Sequence, residues 1–200
     1  MVGVVQIRKA RAGDIVQVAR TTSRAFAADP VMRWLIPDDD EYESAWLAVF
    51  GNIARRWHAT DSLWCTDDVA AMAGWVPPGR PTVELGPDDG IVEYDHPEWR
   101  IERFKAVGAA LAEHTPPEPH WYLNMLATHP DWQRRGLGAA LMGEVFSIAD
   151  EAGLACYLET ESEENVAYYR RHGFEVRSEW DLATHDTFGP HMWGMLRPPR

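Results

Sequence analysis

Trp121-Tyr-Leu-Asn-Met-Leu-Ala-Thr-His-Pro-Asp-Trp-Gln-Arg-Arg-Gly-Leu-Gly-Ala-Ala-Leu141 is the stretch whose reading decides the fold. An apolar strand turns through Gln133-Arg134-Arg135-Gly136-Leu137-Gly138 into an Ala/Leu-rich helix. The first turn of a helix leaves N–H groups without intrahelical partners, and the aligned peptide dipoles add positive partial charge there. An anion fits that end. Gly136 and Gly138 carry no Cβ to hold a phosphate away, and Arg134 and Arg135 add full positive charge beside it. The junction therefore reads as a pyrophosphate cradle.

Working outward, Leu137, Leu141, Val145 and Ile148 share one face of the helix, which Gly153 closes. Ala155 to Glu161 is the next strand, and its helical connection to the strand before predicts a parallel pair. A short helix over 163–172, a strand over 174–184 and a last strand over 191–196 complete the C-terminal part. On the other side, residues 4–9 suit a first strand, and Asp14 precedes a helical pattern through Ile15, Val18, Ala19, Thr22 and Phe26 that Asp29-Pro30 stops. A longer helix follows, with Tyr42, Trp46, Val49, Phe50 and Ile53 on one face. Leu63 to Thr66 and Val69 to Val76 read as a hairpin turned at Asp67-Asp68. Residues 77–97 are rich in Pro and Gly and form an irregular excursion, before a helix over 98–113. The expected fold is α/β (α+β) in one domain over residues 1–200: a mixed, mostly antiparallel sheet of six or seven strands, helices on both faces, one parallel pair at the cradle.

Gln-x-x-Gly-x-Gly after an apolar strand and before an Ala/Leu-rich helix resembles the acyl-CoA loop of the GNAT superfamily of N-acetyltransferases. Asn165-Val166-Ala167-Tyr168-Tyr169-Arg170-Arg171-His172-Gly173-Phe174 is similar to a second segment of that superfamily, which places an Asn near the cofactor and a Tyr near its sulfur. Overall length, the Pro-rich entry to the loop strand, the 25–37 segment, and Leu158-Glu159-Thr160 leading to Asn165 resemble the puromycin N-acetyltransferase-like members. None of these specifies an acceptor.

The resemblance implies acetyl-CoA as co-substrate, without a metal. It implies that the backbone of Leu126, Ala127 and Thr128 pairs with the amide-bearing arm of coenzyme A, as an added strand would. The N–H groups from Arg134 through Arg135, Gly136, Leu137 and Gly138 to Ala139 are then expected to take the pyrophosphate, and Asn165 to contact the cofactor. An N–H near Leu126 is expected to stabilise the oxyanion. Tyr169, by its Tyr-x-x-x-Gly-Phe spacing, is the expected acid for the departing thiolate, and Tyr168 the packing residue beside it. Glu159 and Glu161 share one face of their strand, and Glu159 is the expected base, directly or through a water. Trp34 falls where the acceptor site is expected.

Composition narrows the alternatives. Two hundred residues suffice for one sizeable core. A net charge of −12 argues against nucleic-acid partners, is compatible with a cationic amine, and equally serves solubility. No apolar run reaches membrane-span length and residues 1–9 lack the pattern of a signal peptide, so a cytoplasmic location is expected. Cys65 and Cys156 read as reduced core thiols, and most of the ten tryptophans as core. Gly-Lys-Ser/Thr does not follow Gly136, Leu141 stands where a dinucleotide fingerprint needs Gly or Ala, and the histidines, His129 and His172 among them, show no zinc spacing. The acceptor is expected to be a small-molecule amine. A peptide or protein amine, a non-catalytic acyl-CoA-binding domain and a homodimer stay open.

Overall fold

The computed structural model describes residues 6–81, 83–85 and 87–200. The expected strand start at Val4 and Val5 lies outside them, and β1 spans Ile7–Lys9. Then follow α1 (Ile15–Ala25), α2 (Pro30–Leu35), α3 (Asp39–Ala59), β2 (Leu63–Thr66), β3 (Ala71–Val76), α4 (Glu98–His114) and β4 (His120–Thr128). The chain closes with α5 (Leu137–Glu151), β5 (Ala155–Thr160), α6 (Glu163–Arg170), β6 (Glu175–Ala183) and β7 (Phe188–Arg197). The seven strands form one sheet in the order β1-β2-β3-β4-β5-β7-β6, antiparallel except for β4 with β5.

Each face of the sheet is covered by helices because each carries an apolar set. On one face α5 lays Leu137, Leu141, Met142, Val145 and Ala149 over Trp75, Leu123, Cys156, Leu158 and Met195. On the other, α1, α2 and α3 bring Val18, Val31, Trp46, Phe50 and Trp57 against β2, β3 and β7. Residues of β2 and β3 are buried almost throughout, which explains their near-continuous apolar run. Cys65 and Cys156 are free and fully buried, and burial pushes their thiols up to about 11 and about 12.

Three local readings need correction. Asp29-Pro30 does more than end a helix: Asp29 Oδ1 accepts from the Met32 N–H at 2.8 Å and Pro30 opens α2. The hairpin turn takes four residues, because Val69 turns at φ 54° and Asp68 Oδ1 accepts from Thr66 Oγ1 and Ala70 N–H, so β3 starts at Ala71. On α3 the buried face is rotated toward Ala45, Ala54 and Trp57, with Val49 and Ile53 at its margin. The excursion over 77–97 contains a single helical turn among its described residues, and Asn52 of α3 pins it by a reciprocal pair of bonds to Val92.

The feature that positions the site is an irregularity in β4. Gly74 pairs with Met125 and Trp75 with Leu123, so Asn124 is an extra residue, a β-bulge. The bulge reverses the alternation of the strand. Before it Leu123 faces α5; after it Leu126 does, while Met125 and Ala127 face the α1–α3 side. It also bends β4 away from β5, and the two pair only from His120↔Ala155 to Tyr122↔Tyr157.

Candidate active site

Beyond Tyr122 the backbone edge of β4 that faces β5 is open, and Leu126, Ala127 and Thr128 lie on it. The open edge runs into the loop at α5. Arg134 turns at φ 60° and Gly136 at φ 80°, and no side chain caps the first turn of α5. The N–H groups of Leu137, Gly138 and Ala139 are therefore the free donors at the start of α5. Gly136 is the residue for which that φ costs no Cβ strain. Arg135 is held in place by its bond to the Asp131 carbonyl, 3.0 Å, and by stacking on Trp132. Arg134 is exposed and makes no ion pair among the described residues. A further cation that no sequence motif flagged comes from α1: Arg24 Nη1 lies 3.3 Å from His129 Nε2, beside the loop.

These groups fit a pyrophosphate with an extended amide-bearing arm. The Thr128 carbonyl accepts from Gln133 Nε2 at 3.3 Å, which ties the end of β4 to the loop.

On α6, Ser162 rather than Asn165 is the cap: Ser162 Oγ accepts from the Asn165 N–H, and the half-buried Asn165 side chain is free of that duty. Tyr169 is packed against Phe174 and Tyr168. Burial, and then the charge of Glu161, raise its phenol above the ordinary range. Tyr168 packs against the α5-side core, as expected, and its hydroxyl also reaches the first turn of α5, where a Cβ on Gly138 would approach it to 2.9 Å and the Leu126 side chain to 3.4 Å.

The face of β4 and β5 turned toward α2 and α4 carries Tyr122, Tyr157, Glu159 and Glu161. Burial pushes Glu159 up to about 7, against the opposing influence of the Tyr122 and Tyr157 hydroxyls and the Arg80 guanidinium. Its Oε1 is buried and has no hydrogen-bond partner among the described residues. Tyr122 also accepts from Asn124 Nδ2, 3.1 Å, so the bulge residue helps fix the phenol beside Glu159. Trp34 and Trp180 each have a buried Nε1–H without a partner among the described residues, and Trp180 stacks on His114 at 4.0 Å. Burial raises the carboxyls of both Asp29 and Glu161, and for Glu161 the nearby charge of Asp29 adds to it. In the sequence Asp29 reads only as part of the Asp29-Pro30 stop, and its place near Glu161 has no local signal.

The structure thus brings together the open β4 edge, the α5 cradle, Tyr168, Tyr169, Glu161 and Asp29, with Glu159 one strand alternation away. A histidine, cysteine or carboxylate cluster able to hold a metal is absent among the described residues. No helix among them is long and apolar enough to cross a membrane.

The same architecture occurs in solved structures. A Corynebacterium glutamicum protein described as histone acetyltransferase HPA2 and related acetyltransferase superposes with a TM-score of 0.67 at 22% identity, covering 98% of this chain and 97% of that one. Arylalkylamine N-acetyltransferase 2 from Aedes aegypti gives 0.67 at 9% identity, covering 99% and 100%. The PaiA N-acetyltransferase of Thermoplasma acidophilum, solved in complex with coenzyme A, gives 0.54 at 13%, covering 97% and 98%. At such identities these likenesses establish the fold. The family model for GNAT acetyltransferases matches residues 28–174, from the cap of α2 through the end of the Tyr169 segment, and the chain belongs to that acetyltransferase family.

Proposed function

We propose that this protein transfers the acetyl group of acetyl-CoA to a primary amine of a small molecule, by direct attack in a ternary complex. The observation that carries this reading is the open β4 edge leading without interruption into the uncapped first turn of α5. An extended arm ending in a pyrophosphate matches that combination of strand edge and N–H cluster. The thioester supplies an electrophilic carbonyl and a thiolate leaving group; the chain supplies proton handling and orientation.

Leu126 and Ala127 orient the arm by backbone pairing, and a β4 N–H in their vicinity serves the developing oxyanion. Glu159 accepts the amine proton, directly or through a water; with its carboxyl near pH 7 it is both available and basic enough at neutral pH. Tyr169 gives its phenolic proton to the departing thiolate, and its raised range keeps that proton in place until then. Asn165 and the α5 cradle hold the cofactor against α6.

Isothermal titration with acetyl-CoA, followed by thiol release against aminoglycosides, aminonucleosides, polyamines, arylalkylamines and short peptides, tests this reading. Binding and amine-dependent release are expected from a small amine. Tyr169→Phe should lower kcat about a hundredfold, within the usual span for a lost proton donor, with acetyl-CoA affinity retained. Binding with no release across the panel would instead mark a non-catalytic acyl-CoA domain, and release with peptides alone a peptide acetyltransferase.

A further inference from the structure

The ring of Tyr168 has a structural task that phenylalanine would perform equally well. It faces Tyr169 at 5.3 Å between centroids and His172 at 4.8 Å, and it borders the apolar cluster under α5. The hydroxyl is left over. It lies 2.9 Å from where a Cβ on Gly138 would stand, and the Leu126 side chain comes to 3.4 Å of the same point. Through this one atom α6 reaches the place where the open edge of β4 runs into the first turn of α5.

The groups around the hydroxyl are donors. The N–H groups of Leu137, Gly138 and Ala139 have no intrahelical acceptor and no capping side chain. The Tyr168 oxygen does not cap them either: it forms no hydrogen bond among the described residues, to those N–H groups or to any other. Burial raises the phenol above its ordinary range, so the O–H keeps its proton at neutral pH and stays a donor. Arg171 sets its guanidinium 5.6 Å from the Tyr168 ring centroid and has no carboxylate partner among the described residues. An O–H, three N–H groups and a guanidinium thus converge without an acceptor of their own. A phosphate is the complement of such a set, since it brings several oxygens and negative charge. An amide of the cofactor arm would bring one carbonyl and no charge.

We propose that Tyr168 is a cofactor-binding residue whose hydroxyl donates to the pyrophosphate of acetyl-CoA from α6, while the first turn of α5 holds the same group through its N–H groups. This rests on the acetyl-CoA reading above and adds a ligand to it from a second helix. Arg171 supplies charge behind the ring. Two neighbouring tyrosines then divide the work: Tyr168 holds the phosphate, and Tyr169 serves the departing thiolate.

The test compares the full-length wild type with Tyr168→Phe, which keeps the ring and its packing. Calorimetry with acetyl-CoA should give a Kd about tenfold higher for the variant, as expected for the loss of a hydrogen bond to a charged group. The thermal midpoint of the cofactor-free protein should be unchanged. In ³¹P NMR of bound coenzyme A, the pyrophosphate signals should differ between the two proteins and the 3′-phosphate signal should not. With the amine that turns over fastest in the panel, Tyr168→Phe should raise the KM for acetyl-CoA by the same factor at unchanged kcat, the reverse of Tyr169→Phe. Equal Kd values for the two proteins, or a displaced 3′-phosphate signal beside unmoved pyrophosphate signals, would overturn the inference and leave the transferase reading standing. A wild type that binds no acetyl-CoA would overturn both.

Discussion

Glu159 shows how one residue carries opposing demands. Burial makes its ionised form costly, and the hydroxyls of Tyr122 and Tyr157 with Arg80 recover only part of that cost, leaving the carboxyl at about 7 rather than its ordinary 4.5. The folded-state value is raised, so the unfolded chain releases this proton first and stability falls as pH rises from about 4.5 to 7. Above that window the full penalty is present; below it there is none. Glu159→Gln removes the penalty, so the variant should be more stable than wild type at pH 8 by about 1–3 kcal/mol and no more stable at pH 4, as read from urea midpoints. Activity should move the other way. A proton acceptor titrating near neutrality gives a kcat/KM that rises through pH 7, and Glu159→Gln should lower it about a hundredfold and flatten that limb. A stability gain at pH 8 without any loss of rate would remove Glu159 from the chemistry.

At the scale of elements, α5 and α6 meet at a point where a methyl group does not fit. The Tyr168 hydroxyl occupies the space beside Gly138, at 2.9 Å from where a Cβ would be. Gly138→Ala must displace Tyr168 or tilt the first turn of α5, and either change disturbs the N–H groups of the cradle. Helix propensity alone would favour alanine by about 1 kcal/mol. The variant should therefore show near-wild-type thermal stability together with acetyl-CoA binding weakened by at least tenfold, a separation that calorimetry with and without the cofactor reads directly. The pair Gly138 and Tyr168 also marks how far sequence reading reaches. The loop, the parallel strands and the Tyr169 segment were legible because each depends on spacing within a few residues: a glycine pair at a helix start, periodicity of 3.6 or 2, a Tyr four residues before Gly-Phe. That the Tyr168 hydroxyl meets another helix has no local signal, whereas its packing against the core does. The bulge at Asn124 was likewise invisible, since one extra residue in a nine-residue strand leaves its composition unchanged. Asp29 caps α2 and Glu161 follows β5, so no local signal relates the two. Local signals place elements, and the site arises where elements converge.

On the scale of the whole molecule, the open β4 edge is a structural liability. The sheet is two arms, β1 to β4 and β5 with β7 and β6, joined by only three residue pairs between β4 and β5. The packing of α5 across both arms adds to that connection on one face of the sheet. Near its C-terminus α5 adds a polar clasp: Asp150 receives both Nη atoms of Arg197 of β7 at 2.8 Å, and the Arg200 N–H at 2.9 Å. Arg197 is 4% exposed, and its side chain has no other carboxylate among the described residues. The bidentate bond holds the Asp150 carboxyl down at about 2. Because its folded value is depressed, the clasp is complete above the ordinary value of 3.8 and is lost as pH falls toward 2. Asp150→Asn leaves a buried guanidinium without its counter-charge, a loss of about 2–4 kcal/mol once the partial exposure of Asp150 is allowed for. Urea unfolding should show that deficit at pH 7 and little of it at pH 2, where the wild-type clasp is itself protonated. The second arm should also exchange its amide hydrogens faster in the variant than β2 and β3, which are buried under α1 and α3 and do not depend on the clasp. Equal exchange in both arms would mean that the three β4–β5 pairs and the apolar face of α5 are enough to hold the arms together around the open edge.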